Sequence, residues 1–274
     1  MPDTQINQML DMQERGLHYG DGLFETLLKF NGEIPLWNYH LGRLQRGCNK
    51  LAISLPAENW LLDKVETESS GHDSAVIKLI VTRGIGGRGL EIPAARQASV
   101  FVLRYPYSPI SQSDLGLDVA ICQTRLPINP NLAGLKHLNR LDYVLAAIEL
   151  GRLGNKNEAI LLDTDGYVVE GIISNLFFCL DEKVYTPSLE FAGVEGIMRQ
   201  QILKYFEDQA IHVEIGRFNS DLLLNASECL LCNSVHGIRP IHAIDDAIFT
   251  TGTISQMLMR SFNSKTATGS LAAG

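Results

Sequence analysis

No stretch of this chain reaches the roughly 18 uninterrupted apolar residues that a membrane-spanning helix needs. The opening MPDTQINQMLDMQERG has neither the basic nor the apolar segment of a secretory signal. A cytoplasmic protein with no membrane partner is expected. Positive charge is also short. Lys and Arg number 23 against 31 Asp and Glu, a net charge of −8, which argues against a nucleic-acid partner. Cysteine is scarce and odd in number, five in 274 residues, so a disulfide framework is excluded and free thiols in a reducing compartment are expected. Cys229 and Cys232 do spell C-x-x-C within ECLLCN. A strand sends positions i and i+3 to opposite faces, however, and no second Cys/His pair supplies the other zinc ligands. Both read as core residues, and no metal is expected.

What is present is an ordinary globular composition. At 45% hydrophobic residues the chain can bury one large core or two modest ones. GLFETLLKF and GEIPL read as a hairpin turning at Asn31-Gly32, followed by an amphipathic helix over 37–52 with apolar positions Trp37, Leu41, Leu44, Cys48 and Leu51. AVIKLIVTR and ASVFVLRY read as strands, and this helix is the one clear helix of the first hundred residues. RYPYSPISQSD then reads as a boundary, giving an N-terminal α/β domain over 1–106, a linker over 107–115, a second domain over 116–263 and a flexible tail over 264–274. The second domain reads as strand LDVAICQT, a helix opening at Lys136, a hairpin EAILLD/YVVEG turning at Asp165-Gly166, and alternating strands and helices beyond. Two α/β domains meeting at a cleft are expected.

Two residues carry most of the chemistry. Lys136, in LAGLKHLNRL, precedes by thirty-four positions Glu170, at the end of the strand YVVEG. A lysine that can hold an aldehyde as a Schiff base and an acid that can pair with a pyridine nitrogen are what pyridoxal 5'-phosphate requires. Its phosphate needs an anion site, and GVEGIMRQQILKYF offers one. The N–H groups of Ile197 and Met198 follow Gly196 at a helix start, where unpaired donors and the helix dipole favour negative charge. Arg43, on the early helix, is a second phosphate candidate. VTRGIGGRGLEIP contains G-x-G-x-x-G at Gly84, Gly86 and Gly89, but no helix follows, so a dinucleotide turn is excluded. A flexible loop carrying Arg83 and Arg88 over a substrate carboxylate is expected instead.

YGDGLFET at 19–26, H-x-x-R-L at 40–44, LKHLNRL at 135–141, VVEGIISNLF at 168–177 and GIMR at 196–199 together resemble the fold-type IV pyridoxal phosphate enzymes. That group includes branched-chain and D-amino acid aminotransferases and aminodeoxychorismate lyases. The resemblance runs over most of 16–262 with its motifs in order. It implies an α/β (α+β) fold with a smaller N-terminal antiparallel sheet with helices and a larger barrel-like C-terminal domain that binds the cofactor, assembled as a homodimer.

Carried onto matching positions, the resemblance makes Lys136 the Schiff-base lysine and Glu170 the partner of the ring nitrogen. Arg43 with the amides of Ile197 and Met198 becomes the phosphate site, Asn175 a polar support, and Ser234 or Val235 a further backbone phosphate contact. Where branched-chain aminotransferases carry a tyrosine five residues after the lysine, this chain has Leu141, so contact to the cofactor's phenolic oxygen stays unassigned. VTRGIGGRG, LAGLKHLNRLDYVLA, AGVEGIMRQ and LLCNS are similar to the bacterial lyases. That similarity implies conversion of 4-amino-4-deoxychorismate to p-aminobenzoate and pyruvate. An aminotransferase on D-amino or branched-chain substrates, or a non-catalytic cofactor-binding protein, are the alternatives.

Overall fold

The computed structural model describes residues 10–93, 97–109 and 116–263. Part of the expected linker and the whole of the expected tail lie outside the described residues. The described chain divides into two compact units, one of 10–93 and 97–108 with Leu135–Asn139, the other of 109, 116–134 and 140–263. Lys136 therefore belongs to the first unit, although it falls within the stretch 116–263 assigned to the second.

The first unit contains α1 (Arg15–Tyr19), β1 (Gly22–Lys29), α2 (Trp37–Leu51), α3 (Glu58–Glu68), β2 (Ala75–Thr82) and β3 (Ser99–Pro106). The strands form an antiparallel sheet in the order β1-β2-β3. Burial alternates along β2, and Leu23, Leu27, Ile77, Leu79 and Val81 are buried, as are Leu41, Leu44 and Cys48 of α2 and Leu61 and Val65 of α3. The expected hairpin shrinks to its turn. Phe30 and Glu33 exchange both backbone hydrogen bonds around Asn31-Gly32, but β1 takes β2 as its partner and the chain enters α2 two residues after Pro35. Besides the five-residue α1, the helix α3 is a further one where a single helix was expected. Only Leu61 and Val65 are buried on it, too few for a visible apolar period.

The expected helix at Lys136 begins five residues later. Phe24 N–H donates to the Lys136 carbonyl at 2.9 Å and Leu138 N–H to Gly22 at 3.0 Å, so this segment is spent as an extended edge beside β1. The glycine-rich loop is not free either. Buried Arg15 donates through Nη1 to the carbonyls of Gly89 and Glu91, at 3.2 and 2.9 Å, and through Nε to Asp21.

The second unit contains β4 (Leu117–Leu126), α4 (Leu141–Leu153), β5 (Glu158–Asp163), β6 (Val168–Gly171), β7 (Asn175–Leu180), β8 (Lys183–Pro187), α5 (Ile197–Asp208), β9 (Val213–Gly216), α6 (Ser220–Leu224), β10 (Glu228–Asn233), β11 (Gly237–Ile244), β12 (Ala247–Ile248) and α7 (Thr253–Leu258), which runs into a π-helical turn over Met259–Asn263. Its mixed sheet has the order β6-β5-β4-β11-β10-β7-β8-β9, with β12 on β11. The sheet curls until its ends approach. Val168 at the start of β6 donates to Phe218 at 2.8 Å, just beyond β9, and Tyr167 bridges Asn219. A small antiparallel sheet and a larger barrel-like sheet with helices are the expected fold class.

β5 and β6 are buried along their whole length. One face packs into a cluster of Leu117, Val119, Ile160, Leu176, Phe178 and Ile241, the other into Cys122, Leu126, Ala146, Leu161 and Val169. Any acid on these strands must find internal donors. Cys229 and Cys232 are buried in β10, and all five cysteines are free. Among the described residues no helix is long and apolar enough to cross a membrane. None of their His, Cys, Asp and Glu form a group of three able to hold a metal.

Arg15→Ala should destabilise the protein by about 2 kcal/mol, because the buried guanidinium's part-buried partners, the Gly89 and Glu91 carbonyls and Asp21, lose a charged donor. Hydrogen exchange should rise selectively across residues 84–91; unchanged exchange there would show that the loop does not depend on Arg15.

Candidate active site

In the first unit the chemistry gathers around β1. Lys136 places its Nζ 4.6 Å from the centre of the Phe24 ring, and Lys78 of β2 lies 4.7 Å from the same ring. Glu25, next along β1, points the opposite way, into the core with Leu23 and Leu27. An acid at that position needs partners, and α2 supplies them three residues apart on one helical face. His40 Nδ1 lies 2.7 Å from Glu25 Oε2, and Arg43 donates through Nε at 2.8 Å and also through Nη2. Burial would raise the Glu25 carboxyl, but Arg43 and His40 hold it at about 2. Burial likewise pushes His40 below its usual range despite Glu25. An ionised Glu25 can only accept, so His40 carries its proton on Nδ1. Arg43 is thus a buried, oriented guanidinium rather than a solvated helix charge.

Arg83 is differently employed. It donates to both Asp21 oxygens, at 2.7 and 3.0 Å, and to the carbonyls of Leu51 and Ala52 at the C-terminus of α2. Those bonds tie β2 to a helix end where a cation is favoured. Four of its five N–H donors are thus engaged within the protein, which weighs against the expected grip on substrate. Arg88 is exposed on the glycine-rich loop.

In the second unit Glu170 is 3% exposed and surrounded by donors. Tyr143 Oη donates to Oε1 at 2.5 Å, Asn175 Nδ2 to Oε2 at 2.9 Å, and Val194 N–H to both oxygens at 3.1 and 3.0 Å. Burial and the Glu170 charge push the Tyr143 phenol well above its usual range, so it remains a proton donor.

Asn175 also reaches the start of α5. Its Nδ2 donates to the Val194 carbonyl at 2.9 Å, and a Cβ on Gly196 would fall 1.8 Å from its Oδ1, so only glycine lets the helix start this close. Gly196 is the N-cap and supplies no side-chain acceptor to the buried first turn of Ile197 and Met198. Ser234 lies in a turn that Asn233 Oδ1 closes by accepting from Val235 and His236 N–H, at 3.0 and 2.7 Å. The Val235 amide is thereby committed, which narrows the expected Ser234-or-Val235 contact to Ser234. Glu170, Asn175 and the α5 start are therefore one bonded group, with Lys136 and Arg43 carried by the other unit.

The amino-transferase class IV family model matches residues 22–244. The chain belongs to that family. Among its relatives it is 32% identical to an aminodeoxychorismate lyase of Vibrio harveyi, over 96% of this chain and 97% of that one. It is 25% identical to a D-alanine aminotransferase of Bacillus licheniformis, over 89% and 86% respectively. The crystal structure of 4-amino-4-deoxychorismate lyase from Pseudomonas aeruginosa superposes with a TM-score of 0.84 at 37% identity, covering 95% of this chain and 97% of that one.

Within this class IV chain, sequence reasoning missed Glu25 and Tyr143. Glu25 carries a legible signal, an acid at the core parity of an apolar strand. Tyr143 carries none, because its partner lies 27 residues away and no local pattern announces it.

Glu25→Gln should destabilise the fold at neutral pH by about 3 kcal/mol, because a pKa depressed to about 2 from the ordinary 4.5 favours the folded state wherever the carboxylate is ionised. That contribution is full above about pH 4.5 and is lost as pH falls towards 2. Urea midpoints of wild type and variant should accordingly converge in acid, and a constant gap would refute the assignment.

Proposed function

We propose that this class IV chain is a pyridoxal-phosphate-dependent lyase that converts 4-amino-4-deoxychorismate to p-aminobenzoate and pyruvate. The observation that carries the cofactor is the Glu170 carboxylate, buried and joined through Asn175 to the first turn of α5. That donor set suits a ligand with a basic ring nitrogen and a phosphate. The lyase names at 32% and 37% identity, against 29% and 25% for two aminotransferase relatives, support the reaction.

In this reading Lys136 holds the cofactor aldehyde, and Glu170 holds the ring nitrogen protonated. Arg43, the Ile197 and Met198 amides and Ser234 bind the phosphate. When bound, the cofactor supplies an electron sink for charge developing on the substrate. Tyr143, Asn175 and Val194 keep the Glu170 carboxylate oriented, and Glu25 aims the Arg43 fork. Lys136 Nζ removes the proton from substrate C4 and returns one to the enolpyruvyl oxygen as the C3–O bond breaks. Arg83 being committed elsewhere, recognition of a substrate carboxylate from the glycine-rich loop falls to Arg88.

A cytoplasmic homodimer completes the reading. Helix α4 exposes Leu141, Val144, Leu145 and Ile148 at spacings of three and four, an apolar stripe of the kind that marks a subunit interface. Five free cysteines suit a reducing compartment. Leu145→Asp should lower the mass seen by light scattering from dimer to monomer; a monomeric wild type would reject the assembly.

The purified protein should be yellow and release p-aminobenzoate from aminodeoxychorismate. Lys136→Ala should lose the visible band and about a thousandfold or more in rate. Turnover only of D-alanine or leucine with 2-oxoglutarate would replace the lyase with an aminotransferase.

A further inference from the structure

Glu158 opens β5 as a second buried acid near Glu170, and the reaction above makes no use of it. Its Oε1 accepts Ile173 N–H at 3.0 Å, and its Oε2 accepts the Ser174 hydroxyl at 3.1 Å. These are residues of the short connection between Glu170 and Asn175, which is closed by a 2.7 Å bond from Gly171 N–H to the Ser174 carbonyl. The acid sits so close that a Cβ on Gly171 would lie 2.4 Å from Oε1. A side chain at residue 171 would therefore have to displace the Glu158 carboxylate from these bonds.

Ser174 extends the contact further. Its Oγ also accepts from Asn233 Nδ2 at 3.2 Å, and Asn233 Oδ1 holds the turn that carries Ser234. The chain Glu158–Ser174–Asn233 therefore joins the segment bearing the ring-nitrogen acid to the turn bearing a phosphate contact. Both of its links are buried or partly buried, where a lost partner is felt most.

We propose that Glu158 is a positioning residue for the cofactor site, holding the Glu170–Asn175 connection and the Asn233–His236 turn in one arrangement through Ser174. Burial pushes its carboxyl up to about 7 against the pull of Ile173 N–H, Ser174 and Arg239. A buried acid with so much opposing its charge stays in place because the Ile173 amide and the Ser174 hydroxyl both donate to it. The proposal rests on the reading that Glu170 and Ser234 serve pyridoxal 5'-phosphate.

The test uses Ser174→Ala, which cuts the link to Asn233 while leaving the Ile173 bond, together with Glu158→Gln and Glu158→Ala. Pyridoxal 5'-phosphate is titrated into each apo protein, following visible absorbance and circular dichroism, with apo melting temperature recorded in parallel. Ser174→Ala and Glu158→Ala should each weaken cofactor affinity about tenfold and alter the dichroic band, while Glu158→Gln, which keeps one acceptor, loses less. Wild-type affinity and an unchanged band in Ser174→Ala would overturn the proposal. So would an affinity loss no larger than the accompanying loss of apo stability with the band unchanged. Wild-type protein that binds no cofactor would overturn the underlying reading, and this proposal with it.

Discussion

The Glu170 carboxylate draws three elements of the second unit onto one point. It lies on a strand covered on both faces, where an acid without partners would be untenable. The surroundings are shaped by that requirement. Tyr143 comes from α4, Asn175 from β7 and the Val194 amide from the approach to α5, so three elements must converge for one side chain to be tolerated. Asn175 then passes the constraint on, because the first turn of α5 can sit against it only where residue 196 is glycine. An acid and a helix N-terminus are in this way held in fixed relation before any ligand arrives, which is the preorganisation that charge-stabilising sites depend on.

The first unit repeats the same logic with a different product. Glu25 is also an acid at a core position, and its partners are His40 and Arg43 on one face of α2. Here the acid serves to orient a base. A guanidinium gripped through Nε and Nη2 has lost most of its freedom, so under the proposed function the cofactor phosphate would meet it already aimed. Two of the motifs that carry the family resemblance, YGDGLFET and H-x-x-R-L, thus meet in one contact.

What could be read in the sequence and what could not divides along the range of the interactions. The strands of both sheets other than β12, the turn at Asp165-Gly166, helix α2 and the glycine before α5 are local signals of periodicity and turn chemistry, and they are legible. The start of α4 was misplaced because LKHLNRL is helix-compatible, yet its backbone donors and acceptors are claimed by β1, more than a hundred residues earlier. The partners of Arg83 are illegible for the same reason, since nothing near it in sequence announces Asp21 or the end of α2. Lys136, Glu170, Arg43 and Asn175 are the residues that the family motifs single out. Tyr143 and Glu158, which act on them through side chains distant in sequence, left no local trace.

Lysine and acid do not by themselves choose between elimination and amino transfer, so the account stands first on Lys136 being the residue that carries the cofactor. The most direct measurement is to reduce the cofactor-loaded protein with borohydride, digest it and locate the phosphopyridoxyl group by mass spectrometry. The account predicts a single modified peptide spanning Lys136. Modification at Lys78, which lies against the same Phe24 ring, or at any other lysine with Lys136 unmodified would contradict it.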